Sequence, residues 1–128
     1  MTKLLPGFRR EDLAAAEDPE EGLRVARAAA QRLQDAYGER LADVVIFGSW
    51  VRGEAHEESD VDLLVVLDRL GDRAAERNRM VDILFDLEAD SRRAIQAFPV
   101  ARVDTSHDAG TFVGAALREG RSVLRSKS

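Results

Sequence analysis

At 128 residues the chain has enough sequence for one domain and too little for two independent cores. Apolar residues make up 45% and charged residues 34%, the balance of a soluble globular domain rather than a disordered one. A net charge of −5 argues against a broad nucleic-acid or anionic-membrane surface, and the lack of cysteine excludes disulfides, thiolate metal sites and a cysteine nucleophile.

Residues 1–17 are polar with scattered apolar side chains and form an N-terminal segment, with a short helix expected around Arg10 to Ala16. Residues 18–128 form the single domain. Asp18-Pro19-Glu20-Glu21 reads as a helix start: Asp18 can cap, Pro19 suits the first turn, and the glutamates complement the helix dipole. Leu23, Ala26, Ala30, Leu33 and Tyr37 recur at helical spacing, and Gly38 is a suitable stop. Val44 to Phe47 is an apolar run too short for a helix and rich in strand formers, so it is predicted as a buried strand ending at Gly48. Residues 49–53 form a turn, and residues 54–59 a polar loop.

Asp60 to Leu67 is predicted as a second strand. Val61, Leu63, Val65 and Leu67 fall on one face, and Asp60, Asp62, Leu64 and Val66 on the other. Arg73 to about Ala97 reads as a long helix, with Met80, Ile83, Leu84 and Leu87 inward. Pro99 to Asp104 is predicted as a third strand, Asp108 to Glu119 as a helix closed by Gly120, and Ser122 to Arg125 as a last short strand. The sum is an α/β (α+β) domain with a mixed β-sheet flanked by helices.

The chemistry concentrates in Gly48-Ser49-Trp50-Val51-Arg52-Gly53 and Ser59-Asp60-Val61-Asp62-Leu63. Asp60 and Asp62 alternate on one strand, so their carboxylates point the same way, roughly 6–7 Å apart at the backbone. Bare, they repel each other; a bound cation resolves the conflict, and Mg²⁺ suits one or two carboxylates shared with substrate phosphates. Gly48, without a Cβ, lets a phosphate approach the backbone. Ser49 offers an amide and a hydroxyl, Arg52 a forked cation, and Gly53 a residue able to take φ > 0 as the chain leaves the turn.

Gly-Ser-x-x-Arg-Gly followed by Ser-Asp-x-Asp-Leu resembles the signature of the DNA polymerase β-like nucleotidyltransferase superfamily, and in particular its small stand-alone members, the minimal nucleotidyltransferases. The resemblance implies a palm-like mixed sheet. It implies a nucleotide site at Gly48, Ser49, Arg52 and Gly53, and one or two Mg²⁺ ions on Asp60 and Asp62. The reaction would be transfer of a nucleoside monophosphate, AMP from ATP being the commonest case, with release of pyrophosphate. Superfamily members often add a third carboxylate from a later strand; Asp104 is the candidate here, as metal ligand or base. His56, His107 and Trp50 read more simply as surface or packing residues.

Once the core fold is built little chain remains for an acceptor site. A second subunit, as a homo-oligomer, or a partner protein is therefore expected. By resemblance the partner is a helical HEPN-domain toxin, with this chain as its antitoxin. The alternatives are a non-catalytic or weakly catalytic antitoxin acting by contact, and a nucleotide sensor that binds without transfer. A P-loop enzyme is disfavoured because no Gly-Lys-Ser/Thr segment is present. No apolar stretch nears the roughly 20 residues of a membrane span and no signal peptide is evident, so a cytoplasmic location is expected.

Overall fold

Alanines and one glycine make the first helix thin enough to lie close on a sheet. Helix α1, Glu21–Tyr37, buries Gly22, Val25, Ala26, Ala29, Ala30, Leu33 and Tyr37 along one stripe. It is preceded by an Asp18 turn rather than capped by it: Asp18 Oδ1 accepts from Glu20 N–H at 2.9 Å, while the residue at the cap is Glu20, whose side chain makes no cap bond. Gly38, at φ 59°, ends the helix as expected. The computed structural model describes residues 15–108 and 110–124. The helix expected around Arg10 to Ala16 falls largely outside those residues, as does Arg125. Where the description begins, Ala15 bridges to His56 in extended backbone.

Strands β1 (Leu41–Phe47) and β2 (Val61–Leu67) are joined by the single-turn helix α2 (Ser49–Arg52) and a loop. Helix α3 (Arg73–Ser91) leads to β3 (Ile95–Ala101), a short turn at Arg102–Asp104, helix α4 (Phe112–Glu119) and the two-residue strand β4 (Arg121–Ser122). The sheet order is β3-β2-β1-β4. β1 runs antiparallel to both β2 and β4, and β2 parallel to β3. The mixed sheet flanked by helices is the architecture expected from the sequence.

The two faces of β2 divide as the alternation predicts. Val61, Leu63, Val65 and Leu67 pack with α1 and α3 in the larger core; Leu64 and Val66 join Val45, Phe47, Val100 and Ala116 in a smaller one under α4. Each fully buried Leu or Val contributes roughly 1.5–3 kcal/mol, so the larger cluster anchors the fold and the smaller face is left partly open. That open face carries Asp62.

Several boundaries differ from expectation: β2 begins at Val61 and leaves Asp60 outside the strand, α4 begins at Phe112, and β3 ends at Ala101, with the largest changes at the end of α3 and the start of β3. Helix α3 stops at Ser91 instead of running to Ala97, because Arg92 turns left-handed at φ 58° without a glycine to announce it. Glu88 then accepts from Ile95 N–H at 2.9 Å, holding the reversal in place. β3 therefore begins at Ile95 rather than Pro99. Pro99 sits inside a strand that has a neighbour on one side only, where a residue without an N–H is tolerated.

Candidate functional site

The site is built at the end of β1 and the start of β2. Phe47 faces Asp62 across the antiparallel ladder, so the chain leaving Phe47 turns beside Asp62. Gly48 makes that turn at φ 87°, ψ −155°, a conformation open essentially to glycine alone. A Cβ there would lie 2.5 Å from Asp62 Oδ2. The Asp62 carboxylate thus packs on the bare glycine. Ser49 opens α2, and Gly53 closes it at φ 74°.

Asp62 is half-buried and Asp60 exposed. Burial first, then the neighbouring Asp60 charge, pushes the Asp62 carboxyl up to about 6; Glu119 adds to the rise and Arg52 opposes it. This is a carboxylate short of positive charge. Among the described residues no cluster of three or more His, Asp or Glu is arranged to hold a metal ion. Two carboxylates alone fit a cation shared with phosphate oxygens rather than a cage made wholly of protein.

Asp104 is not brought to this place. β3 runs parallel to β2, with Leu67 beside Ala101, and Asp104 lies beyond that end in an exposed turn. From Asp62 to Leu67 the strand rises roughly 16 Å, so Asp104 stands at the opposite end of the sheet. The β3 residue beside Asp62 is Gln96, a neutral amide. We expect Asp104→Asn to leave any nucleotidyl transfer within about twofold of wild type, read as kcat/KM; a loss of tenfold or more would restore Asp104 to the chemistry.

The bend has its own occupant. Gly48 N–H donates to Glu119 Oε2 at 2.7 Å, and Arg52 Nη1 donates to both Glu119 oxygens at 3.1 Å. Arg52 Nε donates to Glu54 at 2.8 Å. These two carboxylates hold the guanidinium still more firmly in its charged form, Glu54 first. The Arg52 and Glu119 side chains are 47% and 30% exposed, and ion pairs that open to water are worth about 0–1 kcal/mol. A carboxylate on a backbone amide adds roughly 1.5–3 kcal/mol. Glu119 was not singled out in the sequence, where it is merely the last residue of a helix.

Two further residues position the site and carried no sequence signal. Arg93 donates to Glu57 O at 2.7 Å and to both Glu21 oxygens at 2.7 and 3.1 Å, tying the loop before Asp60 to α1. Its guanidinium also lies 5.1 Å from the Trp50 ring centre. Trp50 is buried, as a packing residue should be, against Gly22 of α1, where a Cβ would come within 2.2 Å of the indole. Gly22→Ala should therefore push α2 outward and lower stability by roughly 1–3 kcal/mol, read as a lower thermal midpoint. His56 is half-buried in the same loop, its Nδ1 accepting from Glu58 N–H at 3.1 Å, whereas His107 is exposed.

Starting at Leu64, two residues along β2 from Asp62, an open groove of about 590 Å³ is walled by Leu64, Phe98 and Phe112, with Arg73 and Arg77 alongside. Phe112 packs edge to face on Phe47 and Phe98, whose own rings are tilted at 49°, with ring centres 5.2–5.9 Å apart. Phe112 is 56% exposed, a large apolar side chain facing an opening. Among the described residues no helix is long and apolar enough to cross a membrane.

Comparison with known proteins agrees with this geometry. Residues 26–106 match the model of the nucleotidyltransferase domain family. A candidate protein adenylyltransferase of Methanocaldococcus jannaschii is 38% identical over 71 residues, covering 55% of this chain and 47% of its own length. A second from the same organism is 44% identical over 36 residues, covering 28% of this chain and 36% of its own length. The chain thus spans less than half of the relatives it matches. In solved structures, a chain of a toxin–antitoxin complex with AMP-PNP superposes with a TM-score of 0.54 at 19% identity, covering 79% of this chain and 74% of that one. A chain of a mutant MntA-HpeT toxin–antitoxin complex superposes at 0.53 with 17% identity, covering 79% and 74%. At such identities the superpositions speak for the fold. The family match covers more than half of the sequence and includes the Asp62 carboxylate packed on its glycine bend: this chain is a member of the nucleotidyltransferase domain family.

Proposed function

We propose that this protein is a Mg²⁺-dependent nucleotidyltransferase that moves AMP from ATP to a hydroxyl of a partner protein. The observation that carries the reading is the Asp62 carboxylate seated on Gly48, beside Asp60 and within reach of the Ser49–Arg52 turn. The relatives named as protein adenylyltransferases support the nucleotide and the class of acceptor.

Asp60 and Asp62 would hold the Mg²⁺. When bound, the ion supplies positive charge against the phosphates as charge shifts during transfer. Gly48 N–H, Ser49 and Arg52 would bind the two outer phosphates, and so the departing pyrophosphate. The acceptor oxygen forms a bond to the α-phosphorus, the bond from that phosphorus to pyrophosphate breaks, and the acceptor's proton passes to water. Attack in line requires the acceptor to enter opposite the leaving group. Pyrophosphate would leave on the β1 side, and the opposite side is β3, where the aromatic groove opens. The groove would then receive the partner's acceptor segment. Phe112→Asp should cut transfer to a protein acceptor at least about tenfold while leaving ATP affinity within about twofold. Equal losses in both would remove the groove from the acceptor side.

By resemblance the partner would be a HEPN-domain toxin, and the toxin–antitoxin fold neighbours support looking there first. A second reading, an antitoxin that acts by contact alone, is favoured by two observations: Gln96 offers no base beside Asp62, and Glu119 already holds the Gly48 amide. One experiment separates them. The protein is incubated with α-labelled ATP and Mg²⁺, with and without a HEPN-domain toxin. Label on the toxin that is lost with Asp62→Asn supports transfer. Toxin neutralised without label supports contact alone.

A further inference from the structure

We propose that Glu119 is a specificity-determining residue of the phosphate seat: its carboxylate fills the seat as an internal anion and yields only to a ligand carrying linked phosphates. The inference rests on the nucleotide reading above, which assigns that seat to Gly48, Ser49 and Arg52.

The fold places Glu119 there. β4 pairs antiparallel with β1, with Ile46 opposite Arg121 and Val45 opposite Ser122. Extending that register past Ile46 and Arg121 brings Gly48 level with Glu119. Gly120 makes the approach possible, because a Cβ there would come within 2.4 Å of Val45 Cγ1. The last residue of α4 is thereby pinned over the bend by a strand of two residues.

Glu119 uses the donors an incoming phosphate would need. Gly48 has one N–H, and it is engaged at 2.7 Å. Arg52 Nη1 is engaged by both Glu119 oxygens and Nε by Glu54. A phosphate cannot share these donors with a carboxylate, and the two anions repel at this range. Glu119 must therefore swing away before the seat is filled. It can do so, because its side chain is partly exposed and ends the helix, with solvent to turn into. A ligand with one phosphate brings less charge and fewer acceptor atoms to the exchange than pyrophosphate or a triphosphate. The seat is thus set against weak anions without any change of fold. Binding is weakened by the fraction of molecules in which the seat is closed.

The test compares Glu119→Gln and Glu54→Gln with wild type. Both variants remove one negative charge next to Arg52, but only the first also weakens the hold on the Gly48 amide, where a neutral amide oxygen replaces a carboxylate. Calorimetric titration with inorganic pyrophosphate, in Mg²⁺, should show Glu119→Gln binding about tenfold tighter, a gain of about 1.4 kcal/mol, and Glu54→Gln within twofold. MgATP should follow pyrophosphate. In amide spectra, the Gly48 resonance should move on substitution of Glu119 and on adding pyrophosphate to wild type. Equal affinities in all three proteins, or equal gains in both variants, would overturn the role of Glu119 while wild-type ATP binding keeps the enzyme reading alive. Tighter pyrophosphate with no ATP binding in any protein would uphold Glu119 and overturn the enzyme reading. No pyrophosphate binding by any folded protein would overturn both.

Discussion

Asp62→Asn is expected to make the metal-free protein more stable while abolishing transfer. The Asp62 carboxyl is pushed up to about 6 by burial and by the Asp60 charge. A folded-state value above the unfolded one means the ionised carboxylate weakens the fold. That penalty is fully present above about pH 6 and fades as pH falls through 6. It is gone only below about pH 3, where both states are protonated. Screening by solvent leaves on the order of 1–2 kcal/mol at pH 7. The variant lacks the charge, so its thermal midpoint in EDTA should exceed that of wild type by about 3–8 °C at pH 7. The gap should narrow as pH falls from 6 towards 4 and close below about pH 3. Transfer, if the enzyme reading holds, should fall at least about 100-fold. A variant that melts below wild type at pH 7 would mean that Asp62 is not an electrostatic burden in the absence of metal.

Gly48→Ala should do the reverse, harming stability and binding together. The backbone at φ 87°, ψ −155° costs an alanine about 1–3 kcal/mol, and the new methyl group would sit 2.5 Å from Asp62 Oδ2. Either the bend opens or Asp62 swings off it. Both outcomes separate the carboxylate from the phosphate donors. We expect a lower thermal midpoint and loss of detectable MgATP binding by calorimetry. Combining Gly48→Ala with Asp62→Asn should not give additive losses, because the two side chains touch. An alanine variant with unchanged midpoint and nucleotide affinity would show that the bend tolerates a side chain and that its closeness to Asp62 is incidental.

The part of this site that was legible in the sequence is the part fixed by local geometry. Asp62 falls on the face away from Val61 and Leu63 because strand side chains alternate, and a glycine after an apolar strand marks a bend wherever the strand goes. The unread part depends on direction and on return. Asp104 looked like a strand-end carboxylate. Which end of the sheet it reached depended on β3 running parallel to β2, and no residue in β3 states that. Glu119 became visible only once β4 folded back along β1. Arg93 lies just after a left-handed arginine, inside the stretch predicted as helix, and so was not singled out. The α3 boundary shows the same limit: the stop is made by tertiary bonding of Glu88 to Ile95, not by a breaker residue.

Pro99 has a consequence beyond its own strand. An outermost strand offers its free backbone groups to any other chain that approaches, a route to uncontrolled pairing. The ring of Pro99 removes one donor at the middle of β3 and adds bulk there. Replacing it with valine would complete a strand of good β-formers along an open border. One imino acid thus spoils that border as a template for a further strand.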